Sequence, residues 1–272
     1  MPIKIIGLML TWNNLEFFRH SVHQALSFCD ELIVVEGCHS QQYPKRSMDG
    51  TCEYIESIRD LPKLRVMDFA LKGRYDIVQR KIRSEFPKTS EFYEKGNWVF
   101  HWDDDCFFME EELPKLRTAM EMTECDSGSY VVRNFIYNFR FNTMGSESFD
   151  SYRIIDNMYL LGINSPHYKN GKRFPFHHID GITLFHYNYV KKPERFKARM
   201  VMSIEKGTTV SVGNYERWMS VKWEKDEDIF KSRTIIKNIR PYDKELNIYN
   251  GNHPEALANH PWKDINDVRE LI

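Results

Sequence analysis

The chain has 272 residues, which is enough for one large domain or two small ones with a substantial core. Its 38 Lys and Arg residues nearly balance its 39 Asp and Glu residues, so global charge does not require a nucleic acid or a membrane surface as partner. No apolar run reaches the length of a membrane span, and the short apolar N-terminus lacks the basic leader and cleavage site of a signal peptide. The five scattered cysteines, without Cys-x-x-Cys spacing, predict reduced thiols in a cytoplasmic protein, with neither disulfides nor a zinc site.

The first hundred residues alternate between strand and helix patterns. Strands are predicted at 3–10, 30–36 and 64–69 and from Trp98 onward, with helices at 15–29, 51–60 and 73–86 between them. Strands joined by helical crossovers lie parallel in α/β proteins. The sequence therefore predicts a four-stranded parallel half-sheet of the nucleotide-binding type.

The fourth predicted strand, Trp98–Phe108, is an aromatic and apolar run that contains three consecutive carboxylates, Asp103 to Asp105. Strand periodicity would put Asp103 and Asp105 on one face and Asp104 on the other. Buried adjacent carboxylates need a compensating positive charge, which a divalent cation commonly supplies. Because such a cation keeps positions open for phosphates, we expect a metal-bound nucleotide at this sheet edge. The alternative is that the aspartates cap the following helix, predicted at 109–122.

After this helix the pattern changes to period two, which predicts antiparallel or mixed strands at 129–133, 135–141 and 152–155. A basic loop is predicted at 167–176, then a turn at Asp180 and Gly181, and a strand that reaches His186. The cationic helix at 191–206 is interpreted as having a solvated charged face, with contact to an anionic acceptor as the alternative. The absence of repeats and linkers favours one domain with a C-terminal elaboration.

The order of four segments resembles family 2-like glycosyltransferases of the GT-A fold. The segments are the Leu-Thr-Trp-Asn-Asn loop ending at Asn14, the strand segment 30–40, the pair Gln79-Arg80 and the triple aspartate; the later Phe-His-Tyr-Asn-Tyr-Val-Lys segment ending at Lys191 resembles one that closes the core in a subgroup. The resemblance covers roughly residues 3–195. It implies an α/β, Rossmann-like mixed sheet flanked by helices, with a C-terminal helical elaboration. The catalytic domain would span 1–200, with a nucleotide-sugar half at about 1–108 and an acceptor half at about 109–200, and residues 201–272 would pack on it as an extension.

The resemblance also implies roles for individual residues. Those expected to contact the nucleotide sugar are Thr11, Asn13, Glu36, Arg80, Asp103 and Asp104, with Glu36 standing where the family usually has Asp. The metal, Mn²⁺ or Mg²⁺, would be held by Asp105 with Asp103 and His186. The carboxylate that takes the proton of the acceptor hydroxyl would be Asp180, with Glu147 as the second candidate. From the residues alone, His186 is equally a core histidine and Asp180 equally an ordinary turn residue.

These expectations describe a metal-dependent glycosyltransferase that moves a sugar from a nucleotide-diphosphate sugar, most simply a UDP-sugar, to a hydroxyl acceptor. A general base fits an inverting reaction, while a retaining enzyme needs none, so both courses stay open. The acceptor is expected to be a saccharide or a lipid-linked glycan precursor. Modified bases of nucleic acid, as in phage-type DNA glycosylation, are the alternative, because aromatic side chains stack on sugars and on nucleobases alike.

Three other functions match parts of the sequence. His178, Asp180, His253 or His260, and Arg269 follow the His-x-Asp…His…Arg order of iron and 2-oxoglutarate oxygenases, although those use double-sheet β architectures. A sugar nucleotidyltransferase would normally carry a Gly-rich basic loop after its first strand, and the loop at 11–14 has neither feature. A non-enzymatic sugar- or nucleotide-binding module would have no need of the paired aspartates.

Overall fold

Two five-stranded sheets, one two-stranded sheet and the helices around them form the described part of the chain. The structure, a computed structural model, describes residues 2–38, 40, 42–68, 81–148, 151–154, 168–169, 172–173, 176–205, 213–232 and 246–271. The strands are β1 Ile5–Thr11, β2 Glu31–Glu36, β3 Leu64–Asp68, β4 Trp98–His101, β5 Cys106–Phe107, β6 Ser127–Ile136, β7 Phe141–Ser148, β8 Tyr152–Arg153, β9 Tyr168–Lys169, β10 Lys172–Arg173, β11 Phe176–Tyr189 and β12 Leu246–Ile248. The α-helices are α1 Leu15–Phe28, α2 Thr51–Ile58, α3 at 81–85, α4 Leu113–Met122, α5 Pro193–Glu205, α6 Gly213–Ser220 and α7 Asp226–Lys231.

The first sheet has the strand order β3-β2-β1-β4-β8. Its first four strands are parallel, as the sequence predicts, and β8 adds an antiparallel edge. These strands are apolar without alternation because both of their faces are buried: one packs against α1 and α2, and the other against Ile82 and Phe86. Thr11 lies opposite Glu36, and Glu36 opposite Asp68, so polar side chains meet where the strands end.

The prediction of one continuous strand over Trp98–Phe108 is wrong. The β4 strand ends at His101, and the chain turns so that the Cys106 amide donates to the Asp103 carbonyl at 3.1 Å. After the turn, β5 pairs antiparallel with β11 in the second sheet. The three aspartates therefore occupy a turn between two sheets, and strand periodicity does not decide where they point. They do not cap the following helix either, because α4 begins at Leu113 and is preceded by a 3-10 turn, Glu110–Glu112.

The second sheet has the order β12-β7-β6-β11-β5, in which β6 and β11 are parallel and the other pairs are antiparallel. A mixed sheet is as expected, but the prediction of one strand over 135–141 is wrong, because β6 ends at Ile136 and β7 begins at Phe141. Between them Tyr137 has φ of 68°, and Asn138 Oδ1 accepts from the amides of Arg140 and Phe141. The predicted turn at Gly181 instead lies within β11. There the register with β6 shifts and Gly181 takes φ of 72°, a conformation that bulges favour.

The C-terminal residues contribute to the core of the second sheet. Trp218, Leu257, Trp262 and Val268 are buried in one cluster with Phe17 of α1, and β12 extends the sheet through β7. The predicted helix at 191–206 is confirmed as α5. Five of the ten residues of the predicted basic loop at 167–176 lie outside the described residues; of the others, β9 and β10 pair antiparallel and Phe176 begins β11. In the part of the chain that the structure describes, no helix combines the length and the apolar character needed to cross a bilayer.

Candidate functional site

The triple aspartate lies beyond the carboxyl ends of β1 and β4. The strand order places β2 and β3 on one side of β1 and β4 on the other, so the crossover connections diverge between β1 and β4. Such a switch point leaves a crevice, which is the usual ligand position in open α/β sheets. Thr11 Oγ1, at the end of β1, donates a hydrogen bond of 2.7 Å to Asp104 Oδ2 across this crevice. Both residues are buried, so Asp104 is tied to the end of the neighbouring strand.

Asp105 is the centre of a buried charge network. Lys191 Nζ donates to its Oδ2 at 2.6 Å, and His186 Nε2 lies 3.2 Å from its Oδ1. Lys191 also reaches Asn14 Oδ1 at 3.5 Å, which links the start of α5 to the loop after β1. Burial alone would raise the pKa of Asp105, but Lys191 and His186 outweigh it and hold that pKa well below its usual range.

Asp104 has the opposite electrostatic behaviour. Burial, and then the negative charge of Asp105, raise the pKa of Asp104 to about 6. Lys191, Arg195 and the Thr11 hydrogen bond act against this rise. The two adjacent carboxylates therefore differ in proton affinity because only Asp105 has a lysine in contact with it.

Asp103 is the accessible member of the triple aspartate, with 48% of its side chain exposed and Arg83 Nη2 at 3.9 Å from Oδ1. Its carboxylate, Cys106 Sγ and a ring nitrogen of His186 all lie within 4.8 Å of one another. Such spacing allows three donors to share one cation. The fit is supported by His186 Nδ1, which is buried without a hydrogen-bond partner while Nε2 faces Asp105. The sequence predicts Asp103 and His186 here, but not Cys106, which lies directly opposite His186 in the β5–β11 pairing.

Glu36 and Asn13 both hold the loop after β2. Glu36 Oε1 accepts from the Ser47 amide at 2.7 Å, and Arg46 Nε lies 3.8 Å from Oε2. Asn13 donates its amide to Ser47 Oγ at 2.8 Å, and its Oδ1 accepts from the Met48 amide at 2.7 Å. Both residues thus have structural partners at the sheet edge. Arg80 lies outside the described residues.

Neither candidate for the catalytic base lies beside the aspartates. Asp180 precedes His186 by six residues on β11, which is about 20 Å of extended strand. Its side chain is 96% exposed, next to His178 Nε2 at 3.6 Å and across a cleft from Pro114, Lys115 and Thr118. A general base must lie within hydrogen-bonding reach of its proton, and Asp180 does not reach the aspartate turn.

Glu147 is also displaced from His186. It lies four residues along β7 from Thr143, and Thr143 is opposite Asn134, the β6 neighbour of His186. This amounts to about 13 Å along the sheet and about 10 Å across two strands. The side chain of Glu147 lies outside the described part of the structure.

The interpretation of α5 as a solvated charged helix is wrong for two of its cations. Lys191 is only 3% exposed because it contacts Asp105, and the Nε and Nη1 atoms of Arg195 are buried. Lys197 on the same segment is exposed, as expected. The only sequence signal for Lys191 is its position at the end of the His186 segment, whereas nothing in the local pattern distinguishes Arg195 from a surface residue.

The residues proposed for an iron site do not converge. His178 and Asp180 are neighbours on β11, but His253 Nδ1 is hydrogen-bonded to Tyr187 Oη at 2.6 Å. His260 is buried against Phe17, with its Nδ1 accepting from the Trp262 amide at 3.1 Å. The described residues therefore provide no facial triad that includes Asp180.

No family model matches the chain, and no curated protein matches it either. The turn at Asp103 to Asp105, together with Lys191 and His186, is thus the feature from which a function can be inferred.

Proposed function

We propose that the protein is a metal-dependent glycosyltransferase that transfers a sugar from a nucleotide-diphosphate sugar to a hydroxyl acceptor, on a GT-A-type fold. The observation that carries the proposal is the position of three aspartates beyond the carboxyl ends of β1 and β4, with a cation-sized group of donors around Asp103. Ligands of open α/β sheets bind at this edge, and carboxylate sites that keep open positions suit a metal-bound diphosphate.

Some residues of this group would contact the metal directly, and Asp105 would orient one of them. Asp103 and His186 would hold the ion, and Cys106 Sγ, a soft donor that Mn²⁺ and Mg²⁺ do not select, lies within 4.8 Å of both donor atoms. Asp105 would orient the His186 ring through Nε2, the arrangement by which carboxylates commonly fix a metal-binding imidazole. The bound ion, Mn²⁺ or Mg²⁺, would neutralise charge on the diphosphate leaving group, and the imidazole favours Mn²⁺.

The remaining residues of the crevice would bind the nucleotide sugar. Thr11 and Asp104 are joined by a buried hydrogen bond and would form the floor of the site between the two strands. Arg83, which lies 3.9 Å from Asp103, would place a positive charge next to the donor phosphates. Asp180 and Glu147 lie far from this crevice, so neither is proposed as the catalytic base. The proposal therefore depends on the residues that would bind the nucleotide sugar and the metal.

A thermal-shift panel tests the proposal directly. Nucleoside diphosphates and nucleotide sugars are added to the protein with Mn²⁺, with Mg²⁺ or with chelator. A ligand at a hundred times its dissociation constant stabilises the native state by about 2.7 kcal/mol. We expect a stabilisation that requires both a nucleotide and the metal and that Asp103→Asn abolishes. Asp60→Asn, which changes an exposed aspartate at the end of α2, is the matched control and should keep the full shift.

Turnover then distinguishes an enzyme from a binding protein. The nucleotide sugar that gives the largest shift is incubated with the metal and a panel of saccharide acceptors, and release of the nucleoside diphosphate is followed. Release that depends on the metal and on Asp103 is the expected result. A protein that no nucleotide sugar stabilises under any metal condition would not be a nucleotide-sugar transferase.

A further inference from the structure

A cavity of about 310 Å³ opens next to the aspartates, between the loops that follow β1 and β2 and the start of α5. This volume is within the range of small-molecule sites. Its lining includes three aromatic residues and three cations, namely Trp12, Tyr43, Trp262, Lys191, Lys192 and Arg195. Lys191 joins the cavity to the aspartate turn, because its ammonium group also contacts Asp105.

The lining residues carry buried polar atoms that lack partners, and all of these atoms are hydrogen-bond donors. They are Arg195 Nε and Nη1, Asn14 Nδ2 and Trp12 Nε1. A buried donor without a partner destabilises the folded protein, more so when it is charged. A ligand with several acceptor oxygens would satisfy these donors together.

Two of the three acidic residues on the wall, Asp49 and Glu16, have partners of their own, and the third, Glu194, is exposed to solvent. Asp49 accepts hydrogen bonds from the Leu15 amide at 2.9 Å and from the Thr51 side chain at 2.6 Å. Glu16 lies 3.8 Å from Lys192. Among the described lining residues, Arg195 is the charged one with buried atoms that lack hydrogen-bond partners, namely Nε and Nη1, and its guanidinium carbon lies 5.0 Å from the Trp12 ring centre. The cavity is therefore poised for an anion, and the planar fork of Arg matches phosphate oxygens.

We propose that this cavity binds a phosphorylated ligand that carries a ring, with the phosphate oxygens on Arg195 and Lys191 and the ring against Trp12 and Tyr43. The rings of Trp12 and Tyr43 have centres 5.5 Å apart and are tilted by 57°, which gives the ligand an aromatic wall next to the cations. The inference does not depend on sugar transfer or on a bound metal. The ligand could be a nucleoside diphosphate or a phosphorylated acceptor, which share the same recognition chemistry.

The test is a titration with inorganic pyrophosphate in the presence of chelator, followed by tryptophan fluorescence. We expect a saturable change in fluorescence that Trp12→Phe removes, since the Trp12 ring lies against the Arg195 guanidinium that would bind the pyrophosphate. Arg195→Gln should weaken binding at least tenfold. Lys197→Gln, an exposed cation on the same helix, is the matched control and should leave the affinity unchanged.

Arg195→Lys is the second variant, which keeps the charge but loses the fork, and it should bind with intermediate affinity. If Arg195→Gln does not fold, unchanged affinity in Arg195→Lys overturns the proposal. Absence of saturable binding overturns it as well, as does binding that Arg195→Gln leaves intact, which would be an adventitious ion only.

Competition identifies the source of the phosphate. A nucleoside diphosphate that displaces pyrophosphate without metal places the donor in the cavity, while simultaneous binding of both assigns the cavity to a phosphorylated acceptor. Failure of the glycosyltransferase proposal would appear separately, as the absence of any metal-dependent thermal shift with nucleoside diphosphates or nucleotide sugars.

Discussion

The two sheets bury ionisable groups in opposite ways. At the edge of the first sheet, Asp105 stays charged because Lys191 and His186 contact it, which holds its pKa well below the usual range. In the aromatic core of the second sheet, defined by the rings around Tyr187, burial and nearby positive charges lower the pKa of His253 to about 4 and that of His260 to about 3. These histidines stay neutral at pH 7, so the core requires no counter-ion.

The neutral histidines have a structural role, whereas the charged Asp105 is better explained by a binding role. A neutral histidine among rings contributes packing and asks for nothing further, and His260 lies with its ring centre 4.4 Å from that of Phe17. A buried ion pair is rarely the most stable choice, because a well-packed apolar pair of the same volume is often as good or better. The presence of the buried Asp105–Lys191 pair next to a cavity with unpartnered donors therefore favours a binding role for this edge of the first sheet.

The largest expected effect comes from breaking the buried pair on one side. Lys191→Met leaves the Asp105 charge buried with only His186 beside it, and removal of one partner of such a pair costs about 3–5 kcal/mol. Urea unfolding at pH 7 measures the loss. Adding Asp105→Asn to this variant should restore a large part of the stability, because the uncompensated charge is then gone. A single variant that loses less than about 1 kcal/mol would mean that the pair is not desolvated as the structure indicates.

The sequence predicts the first sheet well because each of its strands is a local apolar run between helix patterns. It fails at Trp98–Phe108 for the same reason: apolar residues on both sides of the aspartates look like one strand, although β4 and β5 belong to different sheets. What separates them is the pairing of Cys106 with His186, eighty residues later, which no local pattern contains.

The candidate site shows the same division between local and distant information. The order of motifs singles out Asp103 and His186, whose donor atoms lie within 4.8 Å of each other, together with that of Cys106. Lys191 and Arg195 are missed, since a cation on an amphipathic helix looks solvated until the docking of α5 decides which side chains are covered. Asp180 has the expected spacing in the chain, but the straight run of β11 carries it away from the aspartates.

The aromatic core should show its dependence on neutral histidine as a pH effect. Below its unfolded pKa of 6.5, His260 binds a proton in the unfolded chain but not in the folded one, so folding stability falls as the pH drops from 6.5 toward 4. The loss attributable to His260 is of the order of 3 kcal/mol at pH 4. Urea unfolding at pH 7 and at pH 4.5 compares the parent with His260→Gln, which should lose less stability on acidification. His23→Gln, at an exposed position, should retain the parental pH dependence, and equal slopes in all three proteins would rule out this explanation.

The smallest expected effect is at an ion pair of the same chemistry but greater exposure. Lys4 Nζ lies 3.0 Å from Asp30 Oδ1 at the opposite end of the first sheet, with 43% of the lysine side chain exposed. Asp30 keeps Arg117 Nη2 at 2.8 Å and the Ile5 amide at 3.0 Å when this lysine is removed. Lys4→Met should therefore cost less than about 1 kcal/mol in urea unfolding at pH 7, as solvent screens exposed pairs. The comparison with Lys191→Met contrasts a buried lysine–aspartate contact with a more exposed one whose aspartate keeps Arg117. Similar losses in the two variants would show that the Lys191 contact is no stronger than an exposed pair.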